Sequence, residues 1–197
     1  MTPDMKEIYA AVSVLLMLGS RGVYLTSIFS GRTRPHAFSW VIWSVISTIG
    51  FAAQVAEGAG PGSWARGVSA ATCIICAVLG FTHGEKNITR ADWITLVTAL
   101  LAVPLWLLTE TPVWSVILVC VIDTIGYLPT ARKAYSKPHE ETPRGYILSA
   151  FCALFSLLAI SHYNLSTWLY PATLVITNAL MAGYIISRKI ALSSRTA

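Results

Sequence analysis

The charged residues of this 197-residue chain are gathered into short clusters, and between the clusters lie seven apolar runs, near residues 8–29, 37–56, 64–82, 91–109, 113–134, 145–162 and 167–187. That spacing constrains the fold more than any other feature, because each run approaches the roughly 20 residues that an α-helix needs to cross a bilayer. Hydrocarbon offers no partner to a backbone amide, so apolar segments of this length are expected to be helices. The strict alternation of a membrane β-barrel is absent from them. The expected fold class is therefore an all-α membrane protein with seven transmembrane helices. Composition agrees, since 55% of the residues are hydrophobic and 12% are charged, about half the charge of a soluble domain. Only residues 1–7 precede the first run, with no small-residue cleavage site after a short apolar core. That run is expected to be retained as the first helix.

Orientation follows from Lys and Arg counted connection by connection. Arg32, Arg34, Lys86, Arg90, Arg132, Lys133, Lys137, Arg144, Arg188, Lys189 and Arg195 fall in the odd-numbered connections and after the last run. The opposite side holds only Lys6 and Arg66, its connections around Glu110 and Asn164 hold none, and Arg21 stands inside the first run. The expected location is a bacterial inner (plasma) membrane with the N-terminus outside and the C-terminus in the cytoplasm. The net charge of +5 then reflects topology and anionic headgroups, with the lipid bilayer as partner and no nucleic acid.

Chemistry-bearing clusters are sparse. Cys73, Cys76, Cys120 and Cys152 all lie inside apolar runs, and Cys73-Ile-Ile-Cys76 has neither a second pair nor a nearby His, so it reads as helix packing. His36, His83, His139 and His162 stand at loops or helix ends, and Glu140-Glu141 reads as part of a solvated basic loop. No metal or cofactor is expected. No nucleophile elbow, zincin helix, Walker loop or catalytic carboxylate pair occurs, so an enzyme is not expected.

An odd number of spans invites a search for two parallel triplets joined by one extra helix. A shift of 104 residues brings the first three runs onto the last three and matches Gly22 with Gly126, Thr26 with Thr130, Phe51 with Phe155 and Trp64 with Trp168. Loop charge stays in step as well. The expected organisation is a first triple-helix bundle over 1–84, a linker helix over 85–111 and a second bundle over 112–197.

The segment Gly126-Tyr127-Leu128-Pro129-Thr130, followed by Arg132-Lys133, Lys137 and Thr142-Pro143, resembles the PQ-loop and SWEET transporter superfamily. That family carries a proline near the cytoplasmic end of the first helix of each triplet, then a basic loop and a proline opening the second helix. Pro129, Pro143 and Pro35 fit three of these four places, Leu25 stands at the fourth, and Thr130 replaces the usual glutamine. The resemblance implies seven helices in a 3+1+3 order, transport of a small solute, and hinge or gate roles for Pro129, Pro35 and Pro143.

Five residues are the expected substrate contacts: Asp123, Arg21, Asn178, Tyr127 and Trp43. About ten apolar residues flank Asp123 on each side, so it stands near the bilayer centre, where an Asp is costly unless paired, protonated or facing water. A hydrogen-bonded packing role is the alternative. Arg21 lies at similar depth, about 12 Å of helix from the end of its run. It is expected to meet Asp123 across the axis, the alternative being snorkelling to headgroups. Asn178 also reaches the midplane, and the resemblance implies sugar binding by an asparagine so placed; interhelical glue is the other reading. Trp40 and Trp43 suit an interfacial belt, or else stacking on a solute at a gate. The expected function is a transporter of a small polar solute such as a sugar, amino acid or nucleoside, working by alternating access with proton coupling open to it. A receptor or accessory protein of the same fold that binds without transporting is the second expectation. Homo-oligomerisation is compatible with either.

Overall fold

The computed structural model describes residues 3–56, 64–107, 112–160, 163 and 165–194, so Glu110, His162, Asn164 and Arg195 lie outside the described residues. Those residues form seven α-helices and no strand: α1 (Pro3–Phe29), α2 (Ala37–Ala56), α3 (Trp64–His83), α4 (Arg90–Leu107), α5 (Pro112–Ser136), α6 (Pro143–Leu158) and α7 (Leu165–Ser193). A single 3-10 turn, Pro138–Glu140, separates α5 from α6. Each apolar run of the sequence coincides with one helix.

Local chemistry sets several of the ends. After α1 the chain turns at Gly31, whose φ of 71° is open to a residue without Cβ. The Gly31 amide bonds the Ile28 carbonyl at 2.9 Å and the Arg32 amide bonds the Ser27 carbonyl at 3.0 Å, the paired bonds of a Schellman stop. At the start of α4, Asp92 Oδ2 accepts from the Thr89 amide at 2.8 Å, and Thr89 Oγ1 accepts from the Asp92 amide at 3.3 Å, a reciprocal capping box. Pro143 opens α6, where its missing N–H costs nothing.

Met5–Phe29, Trp64–His83 and Thr167–Ser193 are long and apolar enough to cross a membrane, with mean hydropathies of 1.6, 1.6 and 1.5. The surface is apolar: Leu15, Ile94 and Leu180 are 68%, 67% and 67% exposed, while Ser20, His36, Asp92, Lys133 and Glu141 are buried. Water would select the reverse distribution. These are the features of a membrane protein.

Six helices form a closed ring in which α1 packs on α3, α3 on α2, α2 on α5, α5 on α7, α7 on α6, and α6 back on α1; α4 sits outside, against α2 and α5. Small residues set the closest crossings, as close packing between membrane helices requires. A Cβ on Gly80 of α3 would lie 2.7 Å from the Ala37 Cα of α2. Hydroxyls tie α1 to α6: Ser13 Oγ is 2.8 Å from Ser156 Oγ, and Ser20 Oγ donates to the Gly145 carbonyl at 2.7 Å and lies 2.8 Å from Ser149 Oγ.

Candidate substrate chamber and its closed end

The ring is sealed at the end where α1 stops and α2 starts by side chains converging from α4, α5, α7 and the connections between helices. Lys133 of α5 forms an ion pair with Glu141, and the two side chains are 1% and 0% exposed. The Lys133 ammonium also donates to the Arg34 carbonyl and, at 3.3 Å, to the Glu140 carbonyl, while Lys189 of α7 donates to the Glu141 carbonyl at 2.8 Å. Next to Lys133 on α5, Arg132 grips Asp92 through Nε at 2.8 Å and Nη2 at 2.6 Å, the two-pronged geometry that only a guanidinium offers. Lys137 donates to both oxygens of Glu85 at 2.9 and 3.1 Å. His36, fully buried, holds Nε2 at 3.6 Å from Asp92 Oδ2.

Burial governs the protonation of these loop groups. It lowers His36 to about 4, with Asp92 pulling the other way and Arg132 and Lys133 adding to the fall. Burial alone would raise Glu85, but the bonds from Lys137 and from the Asn87 amide outweigh it and hold the carboxyl below its ordinary value. At Glu141 burial wins and lifts the carboxyl, against the opposing pull of Lys133.

Beneath the ion pairs lies a layer of hydroxyls. Ser27 Oγ is 2.7 Å from Thr33 Oγ1 and 2.6 Å from Thr142 Oγ1, and Thr130 Oγ1 donates to Ser39 Oγ at 2.9 Å. An aromatic layer follows. Tyr24 and Trp40 rings stand 4.9 Å apart, Trp40 and Trp43 5.1 Å, Trp43 and Tyr127 4.7 Å, and Tyr146 closes the set at 6.3 Å from Tyr127 and 6.4 Å from Tyr24. The Trp40 indole donates to the Tyr24 hydroxyl at 3.2 Å. Gly126 makes the α2–α5 approach close enough for this layer, since a Cβ there would meet Trp43 Nε1 at 2.8 Å.

Deeper still lie the charged residues of α1 and α5. Asp123, 3% exposed, accepts from the Tyr170 hydroxyl through Oδ1 at 3.3 Å, and its carbonyl accepts from the Trp43 indole at 3.3 Å. Its Oδ2 is buried with no hydrogen-bond partner. The Arg21 guanidinium lies 4.9 Å from the Trp40 ring centroid, and its Nη2 is 3.9 Å from Cys73 Sγ. Its Nε is also buried without a partner. Toward the opposite end of the ring, Arg66 covers the Tyr170 ring at 4.1 Å. Asn178 is buried and donates to the Leu174 carbonyl of its own helix at 2.8 Å.

The five expected contact residues thus share one interior, but several expectations need correction. Arg21 and Asp123 do not form an ion pair, because α1 lies along α3 and α6 rather than α5, and each ion has found a π face or a hydroxyl instead. Arg21 does not snorkel either. Trp40 and Trp43 are not interfacial, being 1% and 7% exposed; among the described residues the exposed indoles are Trp64, Trp93, Trp114 and Trp168. Glu141 is not solvated, and His36 is not a surface loop histidine. Helix α5 runs on through Pro129 to Ser136, so that proline removes one amide donor without ending the helix. Pro35 precedes α2 and its carbonyl accepts from the Glu85 amide at 3.0 Å. Arg66, Tyr170, Tyr24 and Tyr146 went unnoticed as interior residues. Arg66 and Tyr170 stand 104 residues apart, the same offset that relates the two triplets, which is the signal that would have found them. Compared with protein families, with curated proteins and with solved structures, the chain matches none.

Proposed function

We propose that this chain is a seven-span transporter of small polar solutes, built from two three-helix bundles joined by α4, with its basic loops and C-terminus in the cytoplasm and its N-terminus outside. The packing order supports two equivalent bundles: α1–α3–α2 recurs four helices later as α5–α7–α6, and the bundles meet through α1 on α6 and α2 on α5. Side chains repeat the same exchange. Tyr24 against Tyr146 corresponds to Tyr127 against Trp43, and Ser27 with Thr142 corresponds to Thr130 with Ser39, both at an offset of 103 residues. The sequence comparison used 104, a register that holds for the third helices but slips by one at the first two.

The observation that carries the reading is the polar interior itself. Asp123, Arg21 and Asn178 stand in the middle of a ring whose outside is apolar, behind an end where Lys133 on the Arg34 carbonyl, Ser27 with Thr142 and Thr130 with Ser39 join the two bundles. Rigid rocking of one bundle on the other would break those contacts together and open the chamber to the basic side, which is how alternating access around a fixed central site works. Asp123 supplies a group through which a proton can be coupled to the solute.

Counterflow in sealed proteoliposomes tests this, using labelled sugars, amino acids and nucleosides first screened for thermal stabilisation of the purified protein. Exchange of a stabilising solute, abolished by Asp123→Asn or Arg21→Gln, is expected. Stabilisation with no exchange would replace the transporter by a receptor of the same fold.

A further inference from the structure

We propose that the chamber takes a small amino-acid-like zwitterion, with its carboxylate on Arg21 and its ammonium on Asp123. The inference rests on the chamber being a solute site and names what that solute is.

The two ions are each incomplete, in opposite senses. Arg21 carries a charge that no accessible pH removes, yet it touches only a thiol, which is a weak acceptor, and the face of Trp40, while its Nε–H finds no acceptor at all. Among the described residues no carboxylate lies within 4.0 Å of it, the ion pairs being those of Asp92, Glu85, Glu140 and Glu141 at the closed end. Asp123 has the complementary defect. Tyr170 satisfies Oδ1, the Trp43 indole satisfies the carbonyl, and Oδ2 is left buried without a donor. Buried polar groups are nearly always paired, and those that are not call for an explanation such as a missing ligand.

A solute that completes both must bring an anion and a cationic donor together, and it then adds no net charge to a site sheathed in hydrocarbon. A sugar offers hydroxyls but no countercharge for Arg21. A simple carboxylate leaves Oδ2 bare, and a simple amine leaves Arg21 bare. The Arg66 charge acts on Asp123 across the Tyr170 ring on which it is stacked, but it donates no hydrogen bond to Oδ2, which is left without a donor. Trp40 and Trp43, 5.1 Å apart, form a continuous indole wall from the Arg21 guanidinium to the Asp123 carbonyl. That wall, with Tyr127 beyond it, offers the apolar surface on which an uncharged side chain packs.

The test uses the purified full chain in detergent micelles at neutral pH, with thermal unfolding followed against concentration of L-phenylalanine, 3-phenylpropionate, phenethylamine and glucose. L-Phenylalanine is expected to stabilise saturably, with each truncated analogue at least tenfold weaker and glucose inert. Arg21→Gln should erase the advantage of phenylalanine over phenethylamine, and Asp123→Asn its advantage over phenylpropionate, each variant being read against its own ligand-free midpoint. If Arg21→Gln does not fold, Arg21→Lys, which keeps the charge and loses the fork, should weaken phenylalanine about tenfold. Equal response to all four probes, stabilisation by glucose alone, or no response to phenylalanine overturns the proposal. Phenylalanine binding without vesicle exchange would end the transport reading and leave this one standing; exchange of glucose alone would do the opposite.

Discussion

Replacing Lys133 by Met isolates the buried ion pair at the closed end. The substitution keeps most of the side-chain volume and removes the ammonium that faces Glu141, so a carboxyl with no exposed surface loses its partner. The cost of that orphaned charge has a ceiling, because the carboxyl can protonate instead. For an ordinary value of 4.5, protonation at pH 7 costs about 3 kcal/mol. The bonds from Lys133 to the Arg34 and Glu140 carbonyls are lost as well, at about 1 kcal/mol each when their acceptors stay buried. A total loss near 4–5 kcal/mol is expected, within the range for breaking a buried pair. For a chain of this size that corresponds to a fall of about 10–15 °C in the midpoint. Unfolding of the purified protein in micelles, by heat and by denaturant, measures it. The double variant Lys133→Met/Glu141→Leu should recover the roughly 3 kcal/mol of the orphaned carboxyl but not the bonds to the Arg34 and Glu140 carbonyls. The pH dependence has a definite sign. Burial lifts the Glu141 carboxyl in the folded protein, so with Lys133 gone the folded state takes up a proton that the unfolded chain takes up only near 4.5. The penalty is therefore complete at pH 7 and shrinks as the pH falls toward 4.5. Losses from Lys133→Met and Glu141→Leu that simply add in the double variant, or that ignore pH, would refute the buried pair.

His36 gives a second pH signature. Its value of about 4 in the fold against 6.5 in the unfolded chain means that only the unfolded chain binds this proton between the two. Its contribution is present above pH 6.5 and is lost as the pH falls to 4, about 3 kcal/mol in all; His36→Gln should flatten that slope in acid-unfolding curves. At the α2–α5 crossing, Gly126→Ala should cost about 1–3 kcal/mol because its Cβ meets Trp43 Nε1 at 2.8 Å and Ile42 at 3.2 Å. Gly22→Ala, with nothing within 4 Å, should instead gain up to about 1 kcal/mol from helix propensity.

Much of the fold was legible because the signals were local. Seven apolar runs separated by charge, proline and glycine map onto seven helices, with ends displaced by only a few residues, since length and hydropathy belong to each segment by itself. Asp123 was identifiable as an interior residue for the same reason: a carboxylate flanked by ten apolar residues has few other places to go. Glu141 was not, because a neighbouring glutamate, a histidine and two prolines look like any solvated loop. Its burial depends on Lys133 reaching it from the preceding helix and on Lys189 arriving from the last one. Trp40 and Trp43 likewise have the composition of an interfacial belt, and only the packing of α2 between α3 and α5 turns both indoles inward.

The order of the chain by itself determined the helical class and the seven helices of the described residues, because each of those follows from how apolar a stretch is and how long. Which ions meet was decided by tertiary structure alone. Helix α1 settled against α3 and α6, so Arg21 and Asp123 were parted and each left with an unmatched polar atom, whereas Lys133 and Glu141, eight residues apart across a turn, were brought together out of water. Coulomb attraction acts over the few ångströms that packing grants, and sequence spacing across different helices does not encode that distance.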